Sequence, residues 1–480
     1  MKKIILLSLP LFLFASQAEI NKNIADLEKE LRNLQQEVQY HQEDLDERSG
    51  IIEAVEKKSI LDKINFSPEV LLRFDQFDYK NGVIQGEDTR IYDKNGNRTA
   101  IQRRDEFSKH YDISSSIRFR LNMNMQLEDI KFYGRLIYMN STQSNQRVCI
   151  LSRDIKTGIP GSAFDVDRAY VDYTANAKSD YPFTLSFGIL PTTGGTPMQF
   201  SLDKQRTSLF PALVFDMNTY GVIGTQKLGE ATYARVVLAK GYTLRANFYP
   251  YQCNRENINN ANIIGVYADT KFNFLGKALL SFGVNFMHDL KAHPYLGPDV
   301  NAADSDTLGT MMTLGLGIDI QKVADTQTTL FLHTALSNPH GNSNSDDHKI
   351  YDANSTYQGE PGFTEADYAT GTMLKKNGYS VYLGVKYDIN SNFYLGGEFN
   401  HGSEYWFSAT QGAEDMYNKL ATRGEAYEIY GAWKYHKYLS AKLSYLDIHE
   451  NYTGSGWHFG EPAKKDADQR IVSLALEAKF

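Results

Sequence analysis

The sequence predicts an all-β protein, a transmembrane antiparallel β-barrel of about sixteen strands preceded by an α-helical coiled coil, with a barrel of about eighteen strands as the alternative. Three observations predict this fold. In the last eleven residues, 470–480, every second residue from Val472 onward is apolar, as in a strand with one apolar face. Similar stretches recur along the chain, separated by alternately short and long connections. Near the N-terminus, the apolar period changes to seven residues.

The composition fits a barrel better than a bundle of membrane helices. The chain has 480 residues, among them 31 Tyr and 26 Phe, and its mean hydropathy is −0.44. Membrane helices are apolar all round, whereas barrel strands are apolar on one face only, so many aromatic residues and a negative mean hydropathy suit the barrel. The formal net charge of −8 argues against nucleic acid as a partner.

Residues 1–18 have the pattern of a secretory signal peptide. Lys2 and Lys3 precede an apolar run over residues 4–14, and the small residues Ser16 and Ala18 follow it. A membrane anchor is the alternative, but the apolar run is too short to span a bilayer. We therefore expect the mature chain to begin near Glu19.

Residues 19–65 are predicted to form a coiled coil in the periplasm. Apolar residues recur every seven positions in two seams, and Glu and Lys fill the outer positions. One seam comprises Ile24, Leu31, Val38, Leu45 and Ile52, and the other Ile20, Leu27, Leu34 and Val55, with His41 and Arg48 interrupting it. So narrow an apolar stripe needs a partner helix to cover it, which implies an oligomer. The alternatives are a helix along a peptidoglycan-facing surface and a plug inside the barrel.

The barrel is predicted over residues 66–480. Its clearest strand covers residues 113–125, with mainly apolar residues at odd positions and polar or charged residues, such as Arg118 and Asn122, at even positions. Alternation alone also fits a soluble sandwich, but this run is long enough to cross a bilayer at a tilt. Further strands are expected near residues 69–75, 132–139, 166–173, 183–189, 220–226, 233–239, 264–272, 280–288, 308–320, 328–336, 379–389, 393–401, 427–435, 439–445 and 472–480.

Short and long connections alternate between these strands. Short ones lie near residues 128–129, 227–230, 275–276, 324–325, 390–391 and 436–437. Long ones lie near residues 80–111, 141–164, 191–219, 241–260, 291–307, 338–378, 403–425 and 448–469. Short periplasmic turns and long outer loops are typical of an outer-membrane barrel, and an even number of strands returns the C-terminus to the periplasm.

Charged residues at inward positions are the candidate lining of the lumen. They are Arg118, Arg120, Arg135, Arg168, Asp172, Glu398, Glu428 and Lys434. The early arginines suggest a basic wall, but inward acids are about as numerous, so the ion preference stays open. Many of these groups would only keep the lumen hydrated. The inward tyrosines Tyr170, Tyr267, Tyr382 and Tyr394 leave open a track on which sugars would stack.

Other chemistry is sparse in the sequence. Cys149 and Cys253 fall in the second and fourth long loops, and whether they pair as a disulfide stays open. The sequence has no Gly-x-Ser-x-Gly, zinc or haem-attachment motif, so we expect no catalytic residue, metal or cofactor, and no enzymatic activity. An enzyme whose site is assembled across several strands is an alternative.

From residue 69 to Phe480 the chain resembles Gram-negative porins. The resemblance is carried by the leader, the terminal strand ending in Phe480 and the connection after the fifth strand. Some sugar-specific porins and some uncharacterised porin-like families add a coiled coil. The resemblance implies a homotrimer in outer-membrane lipid that passes small hydrophilic solutes by diffusion. Long loops depart from compact porins and leave the solute open, and an adhesin or structural barrel with a closed lumen is the alternative.

In porins the loop after the fifth strand folds into the lumen and narrows it. By that resemblance, the connection 191–219 would place Asp203, Lys204, Arg206 and Asp216 at a constriction. The apolar run at residues 209–211 would be costly in water but can pack against the inner wall, and the charges would set up a transverse field that filters solutes. The alternative is an outer loop packed against its neighbours.

Overall fold

The structure is a computed structural model in which the chain divides into two compact units, Met1–Asn65 and Phe66–Phe480. It describes residues 21–26, 28–39, 41–42, 45, 63–81, 88–92, 98–103, 107–141, 162–206, 208–217, 219–240, 262–291, 307–341, 370–410, 415, 417–452, 460–462 and 464–480. The predicted signal peptide and both cysteines, Cys149 and Cys253, lie outside the described residues.

The first unit contributes a helix, which includes residues 21–26 and 28–39. The seam residues Ile24, Leu31 and Leu34 are 49%, 57% and 53% exposed, so the apolar stripe is exposed along the described part of this helix. The helix was predicted, whereas the coiled coil that it would form with other copies stays a prediction. No helix in the described part of the chain is long and apolar enough to cross a membrane.

The second unit is a closed barrel of sixteen antiparallel strands within the described residues. Its strands are β1 Asn65–Asn81, β4 Phe107–Leu127, β5 Ile130–Ser141, β6 Ser162–Ala175, β7 Phe183–Leu190, β8 Thr219–Lys227, β9 Thr232–Lys240, β10 Asn262–Asn273, β11 Lys277–Lys291, β12 Thr307–Gln321, β13 Thr328–Gly341, β15 Gly378–Asp388, β16 Phe393–Gly402, β17 Gly424–His436, β18 Leu439–Tyr452 and β20 Lys464–Lys479. Every predicted strand is present, and the eighteen-stranded alternative is wrong.

Two small sheets outside the barrel were not predicted. One pairs β2 (Asp88–Tyr92) with β3 (Arg98–Arg103), and the other pairs β14 (Thr370–Met373) with β19 (Gly460–Glu461). All four strands are short and lie in long connections. They are too short to show the alternation of apolar and polar residues by which the barrel strands were predicted. The predicted short turns, by contrast, all lie at one end of the barrel, which we call the short-turn end.

The last strand closes the barrel against the first. In β20, Ile471 and Ser473 are buried while Val472 and Leu474 are exposed, which is the predicted alternation. Pairing with β1 runs from Glu69 opposite Lys479 to Asn81 opposite Ala467. Closure leaves no edge strand with unpaired backbone groups, and a barrel needs this in lipid.

The outer face of the barrel is apolar. In β13, for example, Leu330, Leu332 and Leu336 are 40%, 46% and 50% exposed, while Phe331 and His333, between them in sequence, are buried. The burial pattern of β13 accordingly alternates residue by residue. Exposed leucines repeated along a strand are costly in water and favourable against lipid, so this face fits a bilayer.

Candidate functional site

The connection after β7, the fifth strand of the barrel, folds into the interior. We call its described residues, 191–206 and 208–217, the first segment. Phe210, Leu213 and Phe215 in this segment are at most 1% exposed. Phe210 and Phe215 pack in one cluster with inward side chains of the wall, and the ring centroids of Phe210 and Tyr267 are 4.4 Å apart. Leu213 packs in a second cluster, with Phe331 of the wall. Apolar burial against the inner wall is what holds the segment inside.

Close backbone contacts shape the first segment. A Cβ atom on Gly195 would lie 1.8 Å from the carbonyl oxygen of Phe210, so only glycine allows this approach. The short helix Gln199–Leu202 ends at Asp203, whose φ of 46° lies in the left-handed region. This turn brings the charged residues that follow the helix to the surface of the segment.

Hydrogen bonds tie the first segment to β6 and β12 of the wall. The Arg168 guanidinium, on β6, donates to the carbonyl oxygen of Thr193 at 2.9 Å. The Thr313 hydroxyl, on β12, donates to the carbonyl oxygen of Val214 at 3.2 Å. Thr196 donates to the carboxylate of Asp319, also on β12.

Ion pairs tie the same segment to several other strands. Asp203 accepts from Lys386 on β15 at 2.9 Å and also pairs with Lys434 on β17. Lys204 lies 2.9 Å from Glu477 on β20, and Arg206 lies 3.1 Å from Asp269 on β10. Since these strands stand on different sides of the barrel, the segment crosses the interior.

The ion pairs also keep Asp203 charged. Burial alone would raise the pKa of its carboxyl group, but hydrogen bonds from Lys434 and Lys386 outweigh burial and hold the pKa below the ordinary value of 3.8. Asp203 is therefore a carboxylate at neutral pH, fixed between two ammonium groups.

A second segment between β16 and β17 also lies inside; it comprises the described residues of the range 403–423, which are 403–410, 415 and 417–423. Trp406 and Phe407 are fully buried. The Trp406 indole donates to the carbonyl oxygen of Leu420 at 2.9 Å, and the Arg423 guanidinium donates to the carbonyl oxygen of Trp406 at 2.9 Å. This stretch was predicted to be an outer loop. The consecutive aromatic residues 405–407 were the signal that could have indicated burial.

The two segments contact each other. Asp216 of the first segment donates its backbone N–H to the carbonyl oxygen of Ala409 at 3.0 Å. Its carboxylate accepts from the backbone N–H of Gly194 at 2.6 Å. Asp216 is only 1% exposed, so it joins the two segments. The porin resemblance had instead placed it at the constriction.

Lys419 fastens the second segment to the wall. It pairs with Glu398 on β16 and with Glu428 on β17, and the Tyr382 hydroxyl donates to Glu398 at 2.6 Å. Burial alone would lower the pKa of Lys419, but the two carboxylates outweigh burial and raise it well above 10.5. The ammonium group thus stays charged in an enclosed site.

Two cavities flank Asp203 and Lys204, which line both. The first, of about 550 Å³, reaches from Lys437 in a short turn to Tyr417 of the second segment. The second, of about 730 Å³, lies beside Arg206 and Asp388. Both cavities reach the short-turn end, and charged side chains on their walls can hold water and solutes.

The predicted lining residues divide into three groups. Arg118, Glu428 and Lys434 line the first cavity. Arg120 and Arg135 are buried, and Arg135 pairs with Asp167 at 2.7 Å. The remaining predicted residues do not line this cavity: Arg168 donates to Thr193 of the first segment, Asp172 lies opposite Ser186 of β7, and Glu398 pairs with Lys419. Sequence reasoning missed Arg73, Tyr417 and Lys479 as lining residues.

The structure does not support a track of tyrosines. Tyr267 is covered by Phe210, and Tyr382 is fully buried. Tyr394 lines the first cavity, but Tyr170 stacks on Tyr133 instead, at 4.8 Å between ring centroids. Among the described residues no group of three or more His, Cys, Asp and Glu is placed to hold a metal ion.

The chain matches a protein family and several solved structures. The family described as "Protein of unknown function (DUF3373)" matches residues 108–476. The Pseudomonas putida OprB structure is 11% identical in sequence and has a TM-score of 0.47. The match covers 88% of this chain and 96% of the OprB chain. The outer membrane channel DcaP of Acinetobacter baumannii is 14% identical in sequence and has a TM-score of 0.41. The match covers 87% of this chain and 97% of the DcaP chain. Salmonella typhi OmpF, in complex with daunomycin, is 10% identical in sequence and has a TM-score of 0.43. The match covers 87% of this chain and 97% of the OmpF chain. No curated protein matches the sequence.

Proposed function

The chain belongs to the family of unknown function DUF3373, and we propose that it is an outer-membrane porin that passes small hydrophilic solutes or ions by diffusion. The observation that carries the proposal is a closed barrel, apolar outside, whose interior holds charged cavities beside Asp203 and Lys204. An apolar outer face calls for lipid around the barrel, and a charged interior calls for water inside it.

The first segment would narrow the route through the barrel. Asp203 and Lys204 line both cavities, and their ion pairs fix them to β15, β17 and β20. Charges held in this way form a constriction that filters solutes by size and charge. Arg206, paired with Asp269, would complete the same constriction.

The N-terminal region would assemble the porin. In this proposal residues 1–18 are the signal peptide, residues 19–65 form a periplasmic coiled coil and residues 66–480 form the barrel. The exposed seam residues Leu31 and Leu34 would meet their counterparts in two further copies, giving a homotrimer. The same helices would stand between the outer membrane and the peptidoglycan.

Liposome swelling tests the proposed diffusion. Purified protein is reconstituted into liposomes, which are diluted into isosmotic solutions of solutes of increasing size. Swelling should be rapid for small sugars and amino acids and should fall with solute size, because the constriction limits entry. Liposomes that contain folded barrel but swell no faster than empty ones would refute the proposal.

A sealed barrel is the second candidate function. It is favoured by the apolar cluster that the two segments build inside, with Phe210, Phe215 and Phe407 at its centre. Such a barrel would serve as an adhesin or structural protein. The absence of swelling with every solute would favour this candidate.

A further inference from the structure

Three chains of ion pairs with the same order run through the interior. Each alternates acid, lysine, acid and lysine. They are Asp388–Lys386–Asp203–Lys434, Glu398–Lys419–Glu428–Lys442 and Glu69–Lys204–Glu477–Lys479. Every chain thus begins with a carboxylate and ends with an ammonium group, so each has a positive end.

The positive ends of all three chains line the first cavity. The side chains of Lys434, Lys442 and Lys479 are 44%, 22% and 37% exposed. Their carboxylate partners Asp203, Glu428 and Glu477 are only 19%, 11% and 14% exposed. In each pair the ammonium group is therefore more exposed than the carboxylate.

The negative ends point elsewhere. Asp388, Glu398 and Glu69 do not line the first cavity, and Asp388 lines the second one instead. Lys386, in the middle of its chain, is likewise absent from the first cavity. The three chains are neutral in sum, but they are oriented so that the first cavity meets their cationic ends.

Further side chains add to the positive wall. Arg73, another lining residue, is 19% exposed, whereas its partner Asp75 is 5% exposed and is also held by Ser473. Arg118, Lys204, Lys419 and Lys437 also line the cavity. Eight lysines and arginines thus line it against four acids, namely Asp203, Asp415, Glu428 and Glu477.

We propose that the first cavity is an anion-binding stretch of the solute route, taking small anions such as chloride and short carboxylates, with Lys434, Lys442 and Lys479 as the selecting groups. The inference rests on the proposed porin function and adds the charge of its solutes. A low-dielectric wall strengthens the attraction of the ammonium groups for an anion inside the cavity.

Reversal potentials in a planar bilayer test this inference. A gradient of potassium chloride is applied across a membrane that contains the purified protein, and the chloride-to-potassium permeability ratio is calculated from the potential at zero current. We expect a ratio above one. The triple variant Lys434→Gln, Lys442→Gln, Lys479→Gln should lower the ratio severalfold, because it removes the three positive ends while leaving the cavity shape.

The triple variant should still fold. Asp203 keeps Lys386, Glu428 keeps Lys419 and Glu477 keeps Lys204 as ion-pair partners, so no buried carboxylate is left unpaired. Lys178→Gln is the matched control: it lies in the turn after β6 at the same end of the barrel, is exposed, and lines neither cavity. Its permeability ratio should equal that of the wild type.

The outcomes separate this inference from the proposed function. No current from folded protein overturns the porin function and with it the anion site. Current with a permeability ratio of one or less overturns the anion site alone. A ratio above one that the triple variant leaves unchanged overturns the assignment to the three lysines. Far-UV circular dichroism of each variant confirms that the barrel is intact.

Discussion

The Lys386 ammonium on β15 lies 2.9 Å from the Asp203 carboxylate in the first segment. The two residues are 183 positions apart in sequence, and their contact fastens the segment to the wall. Lys434 pairs with the same carboxylate from β17. Asp203 therefore ties the first segment to two strands of the wall.

Replacing Asp203 with Asn should loosen the first segment. Lys386 and Lys434 would lose a common carboxylate and repel each other, at a cost of about 1–3 kcal/mol. We expect a larger and noisier single-channel conductance. Asp388→Asn is the control, because Asp388 also pairs with Lys386 but belongs to the wall. Equal conductance in the wild type and the Asp203 variant would argue against the anchoring role.

The contribution of Asp203 should not depend on pH near neutrality. Its pKa is held below 3.8 by Lys434 and Lys386, so stabilisation by its ion pairs is complete above the pKa of the unfolded chain and is lost as the pH falls through the lower folded value. The ratio of the conductances of the Asp203→Asn variant and the wild type should therefore be constant from about pH 7 to about pH 5. A ratio that approaches one within that range would contradict the assignment.

Trp406 should be a major source of stability. It is fully buried, packs with Leu213 and Leu420, and donates to a carbonyl oxygen. Trp406→Ala should lower the free energy of unfolding in urea by about 3–5 kcal/mol. Trp433→Ala is the matched control, since Trp433 is 55% exposed on the outer face and should cost much less. Similar losses in both variants would mean that the second segment is not tightly packed.

The exposed seam of the N-terminal helix should drive assembly. Replacing Leu31 and Leu34 with Asp places charges in the predicted helix interface and should dissociate the trimer. Asn33→Asp with Gln36→Asp adds the same charge outside the seam and serves as the control. Mass determination in detergent reads the outcome. A trimer that survives the Leu31 and Leu34 changes would show that the barrel walls, not the helices, hold the subunits together.

The sequence predicted the barrel well because lipid enforces a simple pattern. Each strand must show apolar residues outward at every second position, as Val472 and Leu474 do in β20, and that alternation is readable without any knowledge of contacts. The connection after the fifth strand was predicted to enter the lumen on other grounds, namely the resemblance to porins and the cost of leaving apolar residues such as Phe210 in water.

The interior was less predictable because its contacts join distant parts of the chain. Whether Lys386 meets Asp203 depends on strand register and on the path of the first segment, and neither is written in local periodicity. The second segment was missed because residues 403–423 include charged residues such as Lys419, which the structure buries between Glu398 and Glu428. Asp216 was placed at the constriction by the porin resemblance, whereas its burial depends on contacts with Gly194 and Ala409 that the sequence does not reveal.

Single-channel conductance in a planar bilayer tests the central claim most directly. Purified protein should insert and give stepwise, long-lived openings in groups of three, as expected for a trimer of open barrels. Asp203→Asn measured beside it should change the step size, because the first segment narrows the route. A folded barrel that inserts yet carries no current at any voltage would contradict the porin function and leave a sealed barrel as the account of this fold.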